Sequence, residues 1–196
     1  MIHFDPVPEP PDFDEKARKP GVNWLKKNPN ADRPRDYWSR FKQPLRTGFY
    51  GLCGYSAMYV PWGSGEVDHY VGYKEAPSQA YEWSNYRYSS GWMNKAKAHR
   101  RPHEPRVLDP YEVEDDWFEL HLPSLQLKIA PGLPDELRQR AEYTLKRLHL
   151  RDDERTIQQR WEWYKLYLDG NLTLEGLRET APLIARAVEK QQTDHG

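Results

Sequence analysis

Residues 49–73 read FYGLCGYSAMYVPWGSGEVDHYVGY, and the fold class turns on this stretch. Tyr50, Leu52, Tyr55, Met58, Tyr59 and Val60 form one strand-favouring run; Val67, Tyr70 and Val71 form a second. Aromatic and β-branched side chains suit a pleated, half-buried surface. Pro61-Trp62-Gly63-Ser64-Gly65 between the runs carries turn signals. A β-hairpin, or two short strands joined by a loop, is expected. Downstream, Tyr81-Glu82-Trp83-Ser84-Asn85-Tyr86 follows a polar loop, and Tyr88 to Lys97 reads as a helix start.

On the N-terminal side, residues 1–22 hold five prolines and few aliphatics. Proline fixes φ and removes a backbone donor, so an extended arm is expected, anchored by Phe4, Phe13 and Val22. Tyr37-Trp38-Ser39-Arg40-Phe41 reads as a short helix. Residues 107–127 suggest strands and turns, and 129–134 a linker. Helical spacing dominates the last third. Leu137, Ala141, Leu145 and Leu148 follow Pro134; Ile157, Trp161, Tyr164 and Leu168 end at Gly170. Leu174, Leu177, Ala181, Ile184 and Val188 follow Thr173, an N-cap residue type. The pattern is α+β in three segments: arm and short helices (1–44), a central core (45–128) and a helical region (129–196).

The 196 residues carry 29 Lys+Arg against 30 Asp+Glu, a net charge of -1, which excludes a globally basic nucleic-acid binder. Phosphate contact must then come from a local patch. Mean hydropathy is low at -1.01, yet 8 Trp, 13 Tyr and 5 Phe supply a core that a disordered chain lacks. One cysteine excludes an internal disulfide framework and a Cys-rich zinc site. No run approaches the ~20 apolar residues of a membrane span, so no membrane partner and a cytoplasmic location are expected.

The chemistry-bearing centre is Glu66-Val67-Asp68-His69-Tyr70. An Asp–His pair at the end of a β-segment serves hydrolysis in two ways. The carboxylate can ligate a divalent cation, and the imidazole can take a proton from water. Asn85 follows a loop, and Asn94-Lys95-Ala96-Lys97 opens a helix. In this frame the chain resembles the HNH endonuclease family, the ββα-metal fold. EVDHY is similar to the first motif strand, YEWSNYRY to the middle asparagine segment and MNKAK to the final helix. VLDP (107–110) resembles a segment after the nuclease core in some small bacterial phage-defence HNH proteins. The final position is Asn94 rather than histidine, which looks similar to the HNH domain of the CRISPR effector nuclease.

The resemblance implies a catalytic set of His69 as general base, Asn85 as the residue fixing the loop that aims it, and Lys97 on the scissile phosphate. It implies Asp68 and Asn94 as ligands to Mg²⁺ or Mn²⁺, hard ions suited to oxygen donors. Many family members brace the fold with zinc held by two C-x-x-C pairs. Here those positions read Cys53, Ser56, Ser90 and Met93, so no structural zinc is expected and packing by Tyr55, Trp83, Trp92 and Met93 must substitute. The basic stretch 95–106 (KAKAHRRPHEPR) supplies Lys95, Arg100 and Arg101 as phosphate-contacting residues; His99 and His103 lack a supporting ligand cluster. The implied activity is metal-dependent hydrolysis of DNA phosphodiesters in bacterial defence, with a protein partner supplying targeting. The alternatives are a non-catalytic HNH-fold binding or assembly subunit and an RNA-cleaving toxin.

Overall fold

The computed structural model describes residues 1–98 and 103–194 and is mixed α+β, with two small antiparallel sheets among helices. Strand β1 (Gly65–His69) pairs with β2 (Tyr86–Ser90), setting Asp68 opposite Arg87 and His69 opposite Tyr86. Helix α3 (Gly91–Lys97) starts where β2 ends, because Ser90 Oγ accepts the Met93 amide at 3.4 Å and caps the first turn. A strand-loop-strand-helix unit therefore spans residues 65–97.

The partner of β1 differs from the hairpin expected within 49–73. Residues 50–60 do not extend: Leu52 and Tyr59 share a single bridge, and the Ala57 amide returns to the Cys53 carbonyl at 2.9 Å. Tyr50, Gly51 and Ala57 adopt positive φ, which curls the backbone into a tight turn. The turn docks on β2 through Gly54, whose amide donates to the Tyr88 carbonyl at 2.9 Å. A Cβ on Gly54 would sit 2.7 Å from the Phe49 ring, so only glycine allows this approach.

The N-terminal arm is anchored as its aromatics predict. Phe4 stacks on Phe49 with centroids 4.6 Å apart, and Phe13 packs edge-on against Phe41, Trp83 and Tyr86. Val22 is only half-buried. The arm also turns helical before residue 22. A π-helical turn (Asp14–Arg18) runs directly into α1 (Lys19–Lys27), and Pro20, which has no amide hydrogen to donate, stands just past the junction. A short 3₁₀ turn (Ser39–Phe41) leads into α2 (Lys42–Gly48), burying Trp38, Phe41 and Leu45.

Strands β3 (Phe118–His121) and β4 (Gln126–Ile129) pair antiparallel, followed by α4 (Asp135–Arg147) and α5 (Glu154–Leu168). The third expected helix is divided into α6 (Leu174–Thr180) and α7 (Pro182–Asp194), because Pro182 cannot continue the helix before it. The face of α5 also differs from expectation. Trp161 and Leu168 are exposed, and the buried positions are Thr156 and Arg160. Arg160 donates to the carbonyls of Leu125 (2.8 Å) and Leu150 (2.6 Å), and burial brings its pKa down to about 10. One buried cluster joins all three segments, from Phe4 and Tyr86 to Leu145 and Ile184. Among the described residues no helix is long and apolar enough to cross a membrane.

The VLDP segment has a specific role in this packing. Asp109 receives Arg87 Nε at 2.6 Å on one oxygen and Nη2 on the other, and both side chains are buried. This fork-to-fork pair ties the middle of β2 to the 107–110 segment. Asp109→Ala leaves a buried guanidinium unpaired and should cost about 3–5 kcal/mol in urea denaturation, whereas the Arg87→Met, Asp109→Leu double variant should cost clearly less.

Candidate active site

His69 closes β1 and is only 9% exposed. Its Nε2 lies 2.9 Å from the Ala80 carbonyl oxygen. A carbonyl only accepts, so Nε2 carries the hydrogen and Nδ1 is the acceptor of the neutral ring. Among the described residues no hydrogen bond reaches Nδ1. Edge contacts from Trp38 (centroids 4.6 Å), Tyr86 (5.0 Å) and Tyr73 (6.0 Å) fix the ring plane. Burial pushes the His69 pKa down, against the upward pull of the Ala80 bond and Asp68. The ring therefore stays neutral at neutral pH, the state a general base requires.

Asp68 is 2% exposed. Tyr55, delivered by the curled turn, donates its hydroxyl to Oδ2 at 2.6 Å. Lys97 Nζ lies 3.0 Å from Oδ1 and 2.6 Å from the His69 carbonyl oxygen. Burial and the neighbouring Asp68 push the Tyr55 pKa well up, so Tyr55 remains a donor.

Asn85 sits just before β2 and reads as a loop clamp. Its Oδ1 accepts the Val71 amide at 2.7 Å, and its Nδ2 donates to the carbonyls of Val71 (2.9 Å) and Gln79 (3.1 Å). These bonds close the loop 70–84, whose Ala80 carbonyl holds His69. On α3, Asn94 Nδ2 donates to Glu66 Oε2 at 2.8 Å. A carboxylate accepts only, so the amide orientation is set and Oδ1 is the atom left for another partner.

Asp68, His69, Asn94 and Lys97 line one cleft of about 550 Å³. Its rim adds Arg33, Lys74, Lys95, Arg106 and Arg147, so six cations with Lys97 face two carboxylates, Asp68 and Glu75. The excess stands in a chain whose total charge is -1. Arg106 pairs with Glu75 on the cleft wall.

The structure brings His69, Asp68, Asn94, Lys97 and Lys95 to the cleft, with Asn85 behind them. Arg100 and Arg101, and His99 with them, lie outside the described residues; His103 is exposed. Of the four positions compared with the family's zinc ligands, Cys53 Sγ sits 3.8 Å from Ser89 Oγ, Ser90 caps α3, and Ser56 and Met93 are buried. Met93 and Trp83 pack as expected, while Trp92 is half-buried beside His149 and Arg155. Sequence reasoning missed the polar role of Tyr55, the Glu66 contact, and the distant cations Arg33, Lys74 and Arg147. Arg33 and Lys74 come from polar loops with no periodic signal, and Arg147 from the charged face of α4.

A divalent cation of the magnesium class in this cleft would have to share Asp68 with the Tyr55 hydroxyl and the Lys97 ammonium. Asp68 and Asn94 offer oxygen donors on one cleft, and an ammonium already rests on Asp68 Oδ1. Two protein ligands would leave the remaining positions to water and phosphate, the usual arrangement for Mg²⁺. Among the described residues no cluster of three His, Cys, Asp or Glu side chains is present. No protein-family model matches the chain, and no curated protein matches it either.

Asn85→Ala removes three buried hydrogen bonds and leaves backbone groups of the 71–79 loop unpaired. We expect a loss of about 2 kcal/mol or more in urea denaturation and faster hydrogen exchange at the Val71 amide.

Proposed function

We propose that the cleft hydrolyses phosphodiester bonds of nucleic acid, DNA by the family resemblance, on an HNH-type ββα-metal core. The observation that carries this reading is a neutral His69 with Nε2 held by Ala80 and, among the described residues, no partner on Nδ1, lining a cleft rimmed by cations. The succession β1, β2, α3 supports the same reading, since it sets His69, Asn85 and Asn94 at the strand end, the loop end and the helix.

His69 Nδ1 takes a proton from a water molecule whose oxygen attacks phosphorus in line with the leaving oxygen. The new P–O bond forms as the bond to the leaving sugar oxygen breaks, and that oxygen takes its proton from solvent. Mg²⁺ held by Asp68 and Asn94 would stabilise negative charge on the phosphate and leaving oxygen. The Ala80 carbonyl becomes more favourable to the ring as it charges, because it faces the Nε2 hydrogen. Arg33, Lys74 and Arg106 hold neighbouring phosphates and set the strand's register without reading bases. A separate partner supplying target recognition, in a bacterial defence role, is part of this reading, because a net charge of -1 gives the chain a weak electrostatic hold on DNA.

A second reading, a binding subunit without catalysis, draws support from the burial of Asp68 beneath Tyr55 and Lys97. Plasmid nicking in Mg²⁺ or Mn²⁺ separates the two. His69→Ala should lower the rate by at least about 10²-fold while leaving DNA affinity intact. Equal nicking by both proteins would remove His69 from the mechanism, and no nicking by the wild type would favour the binding subunit. Arg33→Glu with Lys74→Glu should weaken DNA binding and flatten its log–log salt dependence by roughly 1–2.

A further inference from the structure

Lys97 rests on a carboxylate, where the resemblance implies a phosphate contact. Its side chain is 11% exposed, on a helix whose neighbouring Lys95 is exposed to solvent. Two of the three ammonium donors are committed, one to Asp68 Oδ1 and one to the His69 carbonyl. The other Asp68 oxygen is taken by the Tyr55 hydroxyl. Each carboxylate oxygen therefore already has a partner, and a further cation at Oδ1 would lie beside the Lys97 ammonium. A buried carboxylate is costly without a compensating partner, and here the Lys97 ammonium is the cation on Oδ1.

We propose that Lys97 is an internal counter-ion that holds the metal's place on Asp68 and is drawn off by a substrate phosphate, so that divalent-cation binding waits on nucleic acid. The inference rests on the phosphodiester reading of the cleft and adds an order of events to it. Lys97 lies one helical turn beyond Asn94, at the end of α3, and its four-carbon stem lets the ammonium move without moving the helix. A phosphate entering the cleft offers it a second anionic partner. Once Lys97 turns to that phosphate, Asp68 and the Asn94 amide oxygen are exposed to a cation together. While the ammonium stays on Asp68, it repels a divalent ion at the same oxygen. By linkage, nucleic acid and cation then raise each other's affinity by the same factor.

The alternative is a permanent structural ion pair, with the cation bound elsewhere or not at all. Mn²⁺ binding followed by electron paramagnetic resonance, on folded full-length protein, distinguishes the two without reading catalysis. In the His69→Ala background, which prevents cleavage, Lys97→Met should bind Mn²⁺ at least about tenfold more tightly than Lys97 protein when no nucleic acid is present. Lys97→Arg, which keeps the charge, should stay as weak as Lys97 protein. A short DNA oligonucleotide should tighten Mn²⁺ binding strongly in Lys97 protein and much less in Lys97→Met. Lys97→Gln serves as a second neutral variant, with far-UV circular dichroism to check folding. Equal or weaker Mn²⁺ binding by the folded neutral variants overturns the proposal, as does unfolding of both, which would make Lys97 a structural residue. Absence of Mn²⁺ binding in every protein overturns it too. Loss of nicking in His69→Ala beside any of these results would leave the hydrolytic reading standing and remove only the counter-ion.

Discussion

The register of β1 against β2 is the constraint on which the rest depends. With Asp68 opposite Arg87 and His69 opposite Tyr86, the carboxylate meets Tyr55 and Lys97 while the imidazole meets Ala80. Side chains alternate faces along a strand, so a slip of one residue would exchange these environments. Three polar locks hold the register against such a slip. Asn85 clamps the connecting loop, Arg87 is fixed by Asp109, and Ser90 caps the helix that follows. None of these locks is a metal, and each sits at a different point of β2 or its ends.

The polar interior is tolerable because its members satisfy one another. Asp68, Tyr55 and Lys97 form one closed group, and Arg87 with Asp109 forms another. Around them the aromatic excess supplies the apolar wall: Trp38 and Tyr86 against His69, Phe13 against Tyr86, and Tyr111 under the Arg87 guanidinium at 3.6 Å. A buried charge is costly unless paired and bonded. That cost makes the arrangement specific, since displacing one partner strands another. It also lowers the His69 pKa, so the same burial that orders the ring keeps it uncharged.

Much of this was legible in the chain, for identifiable reasons. Asp68, His69, Asn85, Asn94 and Lys97 belong to a short local pattern, and local patterns survive folding because strand, loop and helix deliver them in order. The terminal helices were legible from apolar spacing, except where Pro182 breaks one and where α5 buries Arg160 in place of Trp161. The run 50–60 misled because its aromatics favour strands, while positive φ at Tyr50 and Ala57 depends on tertiary contacts that composition does not carry. The helical turn of the arm was hidden by its prolines, and the π-helical turn before Pro20 has no periodic apolar signal. The cations on the cleft rim come from residues as far apart as Arg33 and Arg147, and only the fold joins them.

Hydrolysis in the proposed cleft requires a neutral His69 whose Nδ1 accepts the proton. Ring-nitrogen NMR of protein labelled with ¹⁵N-histidine tests it most directly, with His69→Gln assigning the signal. A protonated Nε2 and an unprotonated Nδ1 are expected at neutral pH. A hydrogen on Nδ1, or a doubly protonated ring, would contradict it.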